Sequence, residues 1–358
     1  MATTWNKIKI KLENNNFVDA QAPEIISISR STDIPAFYAD WFFDRLKKGY
    51  SAWVNPFNGV KSYISYQNTR FIIFWSKNPR PLLPYLDYLK TRGIECYIQY
   101  SLNNYEEEQL EKGVHSLSER IETFKLLVAK LGKGHVIWRF DPLLLTDTID
   151  INKLIDKIEA IGNQLNGYTE KLVFSYADIT LYKKVKANLN KNNIAYTEWT
   201  ESQMIEFADR LSEINKLNKW NYELSTCAEK IDLSQFGITH NHCIDDALII
   251  RFAWQDRKLM EFLKVQIHPL PSKSLFGEVE PLPLDAILLP NNQYATHGNN
   301  KDNGQREFCG CIRSKDIGEY NTCVHLCEYC YANTSKEIAL NNYRQHKTNP
   351  YSETITGK

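Results

Sequence analysis

The sequence predicts an α/β fold built as a (β/α) barrel, full or partial and of the TIM type, with a cysteine-rich region near its C-terminus. Three observations lead to this prediction. Short apolar segments rich in β-branched residues alternate with longer amphipathic segments at least five times. The glycine-rich nucleotide fingerprint of a doubly wound sheet is absent from the sequence. Five of the eight cysteines lie between Phe308 and Asn333.

The chain is predicted to have four parts. Residues 1–22 form an N-terminal extension with one strand around Lys7–Leu12, and residues 23–225 supply the barrel units. Residues 226–334 form a cysteine-rich, metal-binding region that completes the barrel. Residues 335–358 form a C-terminal helix and a flexible tail, which we expect to be disordered from Gln345 to Lys358.

The predicted strands are short runs of β-branched and aromatic residues that end at turn residues or polar side chains. They are Ile25–Ser29, Ser51–Asn55, Tyr63–Ser65, Phe71–Trp75, Cys96–Tyr100, Val136–Phe140, Leu172–Tyr176 and Tyr222–Leu224. The second and third of these flank an Asn-Gly turn and are predicted to pair with each other.

The predicted helices carry apolar residues on one face, and several begin or end at proline or glycine. They are Ala36–Lys48, Pro79–Arg92, Glu106–Leu131 as one helix or two, Ile151–Leu165, Leu181–Leu189, Thr200–Lys216, Ile249–Lys264 and Ser335–Tyr343. The segments Lys264–Pro290 and Asn291–Asn303 are predicted to be irregular, because the first contains prolines and the second is polar.

Polar side chains lie at or just beyond the C-terminal end of most predicted strands. Arg30, Asp33, Lys77, Arg139 and Asp141 occupy such positions. Sites in βα barrels are built at this end, so these five residues are candidates for lining a catalytic pocket. The simpler interpretation is that polar residues follow strands because loops are solvated.

Arg139 is the exception to the simpler interpretation, because it lies inside a strand between Trp138 and Phe140. A buried guanidinium needs an anionic partner, usually a carboxylate or a phosphate. Asp141 or Asp33 could be a structural partner. The carboxylate of a substrate or cofactor could be a functional one.

Composition limits the function classes. The formal net charge is zero, which does not favour nucleic acid as a partner, and 43% of the residues are hydrophobic, which allows a sizeable core. The sequence begins without an apolar signal and contains no run that could cross a membrane. Eight cysteines then fit a reducing compartment, where metal binding is commoner than disulfides. We therefore expect a cytoplasmic protein of bacterial composition without a membrane partner.

The most specific motif is the C-x3-C-x2-C spacing of Cys323, Cys327 and Cys330. A loop with this spacing can turn three thiolates toward one centre. Three thiolates hold three irons of a four-iron cluster and leave the fourth iron free to bind a small molecule. Zinc prefers the same ligands, so a structural zinc site completed by Cys309 and Cys311 is the alternative.

This motif, with Tyr329 directly before the last cysteine, resembles the signature of the radical S-adenosylmethionine (radical SAM) enzymes. The resemblance implies a [4Fe-4S] cluster whose open iron chelates S-adenosylmethionine, and a 5′-deoxyadenosyl radical that abstracts hydrogen from a substrate. It also implies that Tyr329 borders the adenine, and we expect Asn333 to contact the cofactor. A small-molecule or nucleotide-like substrate and a reductant such as flavodoxin or ferredoxin would be the partners.

The position of the motif departs from the radical SAM pattern. In that family the motif normally follows the first barrel strand, whereas here it lies almost at the C-terminus. Either the barrel is circularly permuted or the cluster is bound by a different scaffold. The wider pattern, including residues 29–35 (SRSTDIP), also resembles a bacterial family named domain of unknown function 1848, which implies no function.

A second set of cysteines remains outside the motif, namely Cys227, Cys243, Cys309 and Cys311. Four thiolates are the number for a closed cluster or a zinc ion, and we expect an auxiliary [4Fe-4S] cluster. Cys309 and Cys311 are too close in sequence for a usual zinc pair. Zinc and no metal remain alternatives, since cysteine is often simply buried, as expected for Cys96.

Two functions from different classes therefore follow from the sequence. The first is an iron–sulfur enzyme of the radical SAM type, with one or two [4Fe-4S] clusters. The alternative is a non-catalytic iron–sulfur or zinc protein that senses redox state or binds a partner. Cysteines that face the C-terminal mouth of a barrel would favour the first, and a cysteine knuckle on a separate surface lobe would favour the second.

Overall fold

The computed structural model of the protein describes residues 5–55, 58–271 and 281–357. The strands of these ranges, in chain order, are β1 Lys7–Lys11, β2 Phe17–Gln21, β3 Ile25–Ile28, β4 Tyr50–Val54, β5 Lys61–Ser65, β6 Phe71–Ser76, β7 Glu95–Ser101, β8 Val136–Leu143, β9 Leu145–Thr146, β10 Lys171–Tyr176, β11 Tyr196–Thr197, β12 Glu223–Thr226, β13 Ile238–His240, β14 Gln266–Pro269, β15 Ile287–Leu289, β16 Gln293–Thr296 and β17 Lys315–Asp316.

The helices are α1 Ile34–Phe37, α2 Ala39–Lys48, α3 Leu86–Thr91, α4 Leu117–Leu131, α5 Ile151–Leu165, α6 Lys183–Lys191, α7 Glu201–Leu217, α8 Asp246–Ala253, α9 Arg257–Phe262 and α10 Lys336–Thr348. Two 3₁₀ helices span Arg80–Tyr85 and Ser234–Phe236. None of the helices in the described ranges has both the length and the apolar character needed to cross a bilayer.

The centre of the molecule is a parallel sheet of eight strands in the order β17-β3-β6-β7-β8-β10-β12-β13. From β3 to β13 the spatial order follows the chain order, with helical crossovers between most neighbours. A doubly wound sheet would reverse direction at a switch point, and the run of strands from β3 to β13 does not. Its edge strands β13 and β17 do not pair within the described residues, so no closed TIM barrel is found there.

Both faces of the sheet are buried, which explains why its strands are almost continuously apolar. Ile26, Ile72 and Phe74 point into the larger core, whereas their neighbours Ile25 and Ile73 point into a second core. The second core is completed by α8 and α9 and also contains Cys243, Cys309 and Cys311. The late part of the chain therefore covers one face of the sheet that the earlier units built.

Several predicted segments differ from the structure. Ile249–Lys264 is split into α8 and α9, and Pro79–Arg92 begins as a 3₁₀ helix before α3. Ala36–Lys48 is interrupted at Tyr38, because α1 and α2 meet there. Glu106–Leu131 is helical only from Leu117, and the preceding residues form turns. Within the described parts of 264–303, predicted to be irregular, β14, β15 and β16 form a small antiparallel sheet.

The C-terminal tail also differs from its prediction as a disordered segment. Helix α10 continues to Thr348, and Ile355 is only 1% exposed. The backbone N–H of Ala52 donates to the carbonyl of Glu353 at 2.7 Å, and the indole of Trp41 donates to the carbonyl of Ser352 at 2.9 Å. The tail is therefore packed against α2 and β4.

Candidate functional site

A cavity of about 690 Å³ lies at the C-terminal ends of the parallel strands. Its wall contains all seven cysteines predicted as metal ligands, namely Cys227, Cys243, Cys309, Cys311, Cys323, Cys327 and Cys330. The predicted pocket residues Arg30, Asp33, Lys77, Arg139 and Asp141 and the predicted cofactor neighbour Tyr329 line the same cavity. Residues that are up to three hundred positions apart in sequence are thus brought to one end of the sheet.

The first cysteine group consists of Cys323, Cys327 and Cys330, on the loop that follows β17. Burial raises the pKa of all three thiols. The backbone N–H of Asn333 points at Sγ of Cys330 at 3.4 Å. Without a bound cation these thiols are therefore neutral, and a metal would supply the positive charge that thiolates need there.

The loop of the first group is held to β3 by a buried contact. Nε2 of His325 lies 2.7 Å from Oδ2 of Asp33, and both side chains are buried. Asp33 also accepts hydrogen bonds from Oγ of Ser76 and the backbone N–H of Lys77, both at 2.7 Å. Burial disfavours the charge of Asp33, but His325 and these hydrogen bonds outweigh it and hold the pKa of Asp33 below its usual value.

A second buried network anchors Tyr329. Its hydroxyl donates to Oε1 of Glu111, and Nζ of Lys77 donates to that oxygen at 2.6 Å and to the Tyr329 hydroxyl at 3.0 Å. Burial opposes ionisation of Glu111, yet Lys77 and Arg120 outweigh it and lower the pKa of Glu111 to about 2. Asp33 and Lys77 therefore line the cavity and also hold the cysteine loop in place, through His325 and Tyr329 respectively.

Asn333 was predicted to contact the cofactor, but it is not among the residues that line the cavity. Its Nδ2 donates to the carbonyl of Cys323 at 2.7 Å, so it closes the cysteine loop on itself. On the other side of the loop, Gly113 lies so close that an added Cβ would be 2.5 Å from the carbonyl oxygen of His325. The loop is thus fixed by contacts on both sides.

The second cysteine group consists of Cys227, Cys243, Cys309 and Cys311. Sγ of Cys227 lies 3.3 Å from Sγ of Cys243. Contacts with Cys227 and Cys311 hold the pKa of the buried Cys243 well below its usual value, and the nearby guanidinium of Arg139 acts in the same direction. The four cysteines therefore form one connected group, with Cys243 at its centre.

The guanidinium of the buried Arg139 has the anionic partner that its position inside a strand predicts. It donates to Sγ of Cys243 at 3.2 Å, to Oε1 of Gln99 at 3.2 Å and to the carboxylate of Asp141. Its guanidinium lies 5.2 Å from the ring centre of Trp75, and the guanidinium of Arg30 lies 5.8 Å from the same ring. Asp141 is thus the carboxylate partner of Arg139, and Arg139 also contacts the second cysteine group.

The spacing of the sulfurs bears on the choice of metal. A tetrahedral zinc site with Zn–S bonds of about 2.3 Å holds its sulfurs about 3.8 Å apart. Among the described residues, no three cysteine sulfurs all lie within 4.8 Å of one another. Neither group is therefore arranged as a closed zinc site, and Cys96 lies apart from both in the larger core, as expected.

The sequence did not reveal several residues of the cavity wall and its supports. Asp316 on β17 accepts hydrogen bonds from the backbone N–H of Arg30 at 3.0 Å and from Oγ of Ser29 at 2.7 Å. Glu229 is buried two residues after Cys227, and burial together with Asp178 raises its pKa to about 8. Its position just after β12 is the signal that could have identified it, since polar residues at the ends of the other strands line the same cavity.

Fold and site together define an α/β protein whose parallel sheet carries two cysteine groups around one cavity at its carboxyl end. The chain belongs to the family described as Domain of unknown function (DUF1848), whose family model matches residues 25–332. That range begins at the first residue of β3 and includes all seven cysteines of the cavity. Neither the curated proteins nor the solved structures contained a match to the chain.

Proposed function

We propose that this protein is an iron–sulfur enzyme of the radical SAM type, with S-adenosylmethionine as its cofactor and an active [4Fe-4S] cluster held by Cys323, Cys327 and Cys330. One observation carries the proposal. The three cysteines share the wall of a cavity of about 690 Å³ with cationic and aromatic side chains, at the carboxyl ends of a parallel sheet. Pockets of about 300–1,000 Å³ are usual for small ligands, so a cofactor and part of a substrate fit this space.

The strand order supports a permuted barrel of the partial type. β17 is the last strand in the chain, but it is the first in the sheet, next to β3. The C-x3-C-x2-C loop follows β17, and so it follows the first strand in space, although not in sequence. This is the arrangement that a circular permutation of a radical SAM barrel would produce, and it accounts for the C-terminal position of the motif.

The donor set fits the proposed cluster. Three thiols lie on one loop, backbone N–H groups point at two of them, and one side of the loop faces the cavity. Three thiolates leave a four-iron cluster with one iron open to a ligand from that cavity. When bound, such a cluster supplies the electron for cleavage of S-adenosylmethionine, which leads to hydrogen abstraction from the substrate.

The protein residues around the first cysteine group have positioning roles in this proposal. The Asp33–His325 contact fixes the loop between Cys323 and Cys327. The Lys77–Glu111 pair fixes the hydroxyl of Tyr329, so that the buried ring borders the cavity in one orientation. A rigid wall of this kind excludes water and orients a bound adenosyl group.

The second cysteine group is proposed to hold an auxiliary [4Fe-4S] cluster. Arg139 and Arg30 lie beside it, and their positive charges favour the thiolate form of the ligands. A cytoplasmic reductant such as flavodoxin or ferredoxin would supply electrons. The alternative function, a non-catalytic iron–sulfur or zinc protein, is disfavoured by the position of both groups on the wall of one cavity rather than on a separate lobe.

The test is the iron and acid-labile sulfide content per chain after anaerobic purification, followed by EPR of the reduced protein with and without S-adenosylmethionine. About eight irons and a signal perturbed by S-adenosylmethionine are expected. Cys327→Ser should lower the iron content to about four per chain and abolish the effect of S-adenosylmethionine on the EPR signal. Cys243→Ser should also lower the iron content, but the effect of S-adenosylmethionine should remain. Cys96→Ala is the matched control, because Cys96 lies outside both groups. Zinc without iron in the wild-type protein would overturn the proposal.

A further inference from the structure

The mouth of the cavity is rich in exposed aromatic rings. Tyr182, Tyr320 and Tyr331 line it and are 38%, 51% and 43% exposed. The rings of Tyr182 and Tyr331 lie with their centres 6.2 Å apart, and the half-buried Trp53 lines the cavity as well. Four aromatic side chains at one opening offer flat apolar surfaces on which a planar molecule can stack.

The same cavity wall carries two cations that form no close ion pair among the described residues, although Asp316 and Glu229 lie near enough to act on them. Arg306 and Lys315 line the cavity, and neither forms an ion pair with any carboxylate in the described ranges of the chain. Nζ of Lys315 instead lies 5.8 Å from the ring centre of Trp53, and Nζ of Lys184 lies 4.9 Å from that of Tyr320. Lys315 and Lys184 therefore each lie beside a ring that could also stack on a ligand.

Lys315 is the more informative of these cations, because it is half-buried. Burial lowers the pKa of its ammonium group, and the nearby Asp316 offsets this only in part. Asp316 is itself engaged by the backbone and side chain of Arg30. A partly desolvated cation costs free energy unless an anion compensates it, so an anionic ligand group beside Lys315 would remove that cost.

We propose that the substrate is a planar, anionic small molecule of the nucleotide type, whose ring stacks on the aromatic residues of the mouth and whose phosphate is bound by Arg306 and Lys315. This inference rests on the proposed function and names the substrate class of the same cavity. Stacking on tyrosine and tryptophan tolerates different bases, whereas a charge-assisted hydrogen bond to phosphate distinguishes a nucleotide from its nucleoside. The zero net charge of the chain favours a free nucleotide over a nucleic acid strand.

The experiment is isothermal titration calorimetry of the anaerobically purified, iron-loaded protein with S-adenosylmethionine bound. The probes are the common 5′-mononucleotides, their nucleosides and a single-stranded oligonucleotide. At least one mononucleotide should bind about tenfold or more tightly than its nucleoside. The double variant R306Q/K315Q should reduce this ratio to about threefold or less, and Tyr320→Ala should weaken nucleotide and nucleoside alike. Lys216→Gln, an exposed position on α7 away from the cavity, is the control and should leave the ratio unchanged.

The outcomes separate this inference from the proposed function, because iron content and the EPR response to S-adenosylmethionine are measured on the same preparation. Iron and a normal response without any nucleotide binding would overturn the substrate class alone. Equal affinity for nucleotide and nucleoside would overturn the phosphate site. Tighter binding of the oligonucleotide than of every mononucleotide would overturn a small-molecule substrate, and a protein without iron would overturn the proposed function.

Discussion

Nε2 of His325 lies 2.7 Å from Oδ2 of Asp33, while Nδ1 of the same ring lies 3.2 Å from the carbonyl oxygen of Gly113. Both ring nitrogens thus face oxygen atoms, so the His325 ring bridges Asp33 and the backbone at Gly113. The pair links the segment after β3 to the loop that carries Cys323 and Cys327. One buried side-chain contact therefore helps to fix where the first cysteine group lies relative to the sheet.

The first prediction concerns Asp33→Asn. Asparagine cannot accept all of the buried hydrogen bonds that the Asp33 carboxylate accepts, and each buried polar group left unsatisfied typically costs about 1–3 kcal/mol of unfolding free energy. We expect a loss of about that size, together with a loss of iron from the first cysteine group, in urea unfolding and iron analysis. Asp87→Asn is the matched control, since it breaks an exposed contact with Lys130 and should change neither quantity. An unchanged midpoint with full iron content would show that the pair is dispensable.

The second prediction uses two glycines to separate the two cysteine groups. In Gly113→Ala the new Cβ would lie 2.5 Å from the carbonyl oxygen of His325, so the first loop must move. Gly310 lies between Cys309 and Cys311 in the sequence, and in Gly310→Ala the new Cβ would lie 2.1 Å from Cδ2 of His242. Gly113→Ala clashes with backbone and should therefore lose about half of the iron and the EPR response to S-adenosylmethionine, whereas Gly310→Ala displaces only the half-exposed ring of His242 and should lose less iron and keep the response.

Gly298→Ala is the control for both glycine variants. An added Cβ there meets only Cδ of Lys264 at 3.9 Å, which is an ordinary contact. This variant should keep the iron content and the EPR signal of the wild-type protein. Loss of the same signal in both Gly113→Ala and Gly310→Ala would contradict the assignment of the cysteines to two separate groups.

Most strands of the main sheet could be predicted because they are buried on both faces. Runs such as Phe71–Ser76 and Lys171–Tyr176 are apolar nearly throughout, and their period and length distinguish them from helices. The polar pair Lys315–Asp316 has no such signature, yet it forms the edge strand β17. Its pairing with β3 depends on tertiary contacts such as that between Asp316 and Ser29, which no local pattern contains.

The first cysteine group is predicted from its spacing and the second only from the cysteines that remain, whereas the residues that support the groups follow from neither. Glu111 lies in a stretch predicted to be helical, and helix propensity says nothing about its burial against Lys77 and Arg120. The helix begins only at Leu117, where the side chain of Ser116 and that of Glu119 form a capping box. Tertiary ion pairs therefore overrode the local helical preference in the preceding residues.

The third prediction is that folding stability depends on pH through His135, a residue that does not line the cavity. Burial, with a contribution from the nearby Arg251, lowers the pKa of His135 from 6.5 to about 4. The unfolded chain therefore binds a proton on this residue between about pH 6.5 and pH 4, whereas the folded chain does not. Stability from this residue is fully present above about pH 6.5 and decreases as the pH falls toward 4.

The variant His135→Phe tests this dependence. Phenylalanine keeps the stacking on Phe252, whose ring centre lies 3.6 Å from that of His135, and it cannot be protonated. The melting temperature of the wild-type protein should therefore fall more steeply between pH 7 and about pH 5 than that of the variant. Parallel curves over this range would show that folding does not shift the pKa of His135.

The fourth prediction concerns the C-terminal tail. Ile355 is 1% exposed and belongs to the larger core, and the ring nitrogen Nδ1 of His346 lies 2.9 Å from its carbonyl oxygen. Ile355→Ala removes buried methyl groups, which typically costs about 2–5 kcal/mol. We expect a loss in that range by urea unfolding, whereas Ile338→Ala, at a position 43% exposed on α10, should cost much less. Equal losses for the two variants would mean that the tail after α10 does not pack in solution. A large loss for Ile355→Ala alone would establish that the tail is part of the fold that supports α2 and β4.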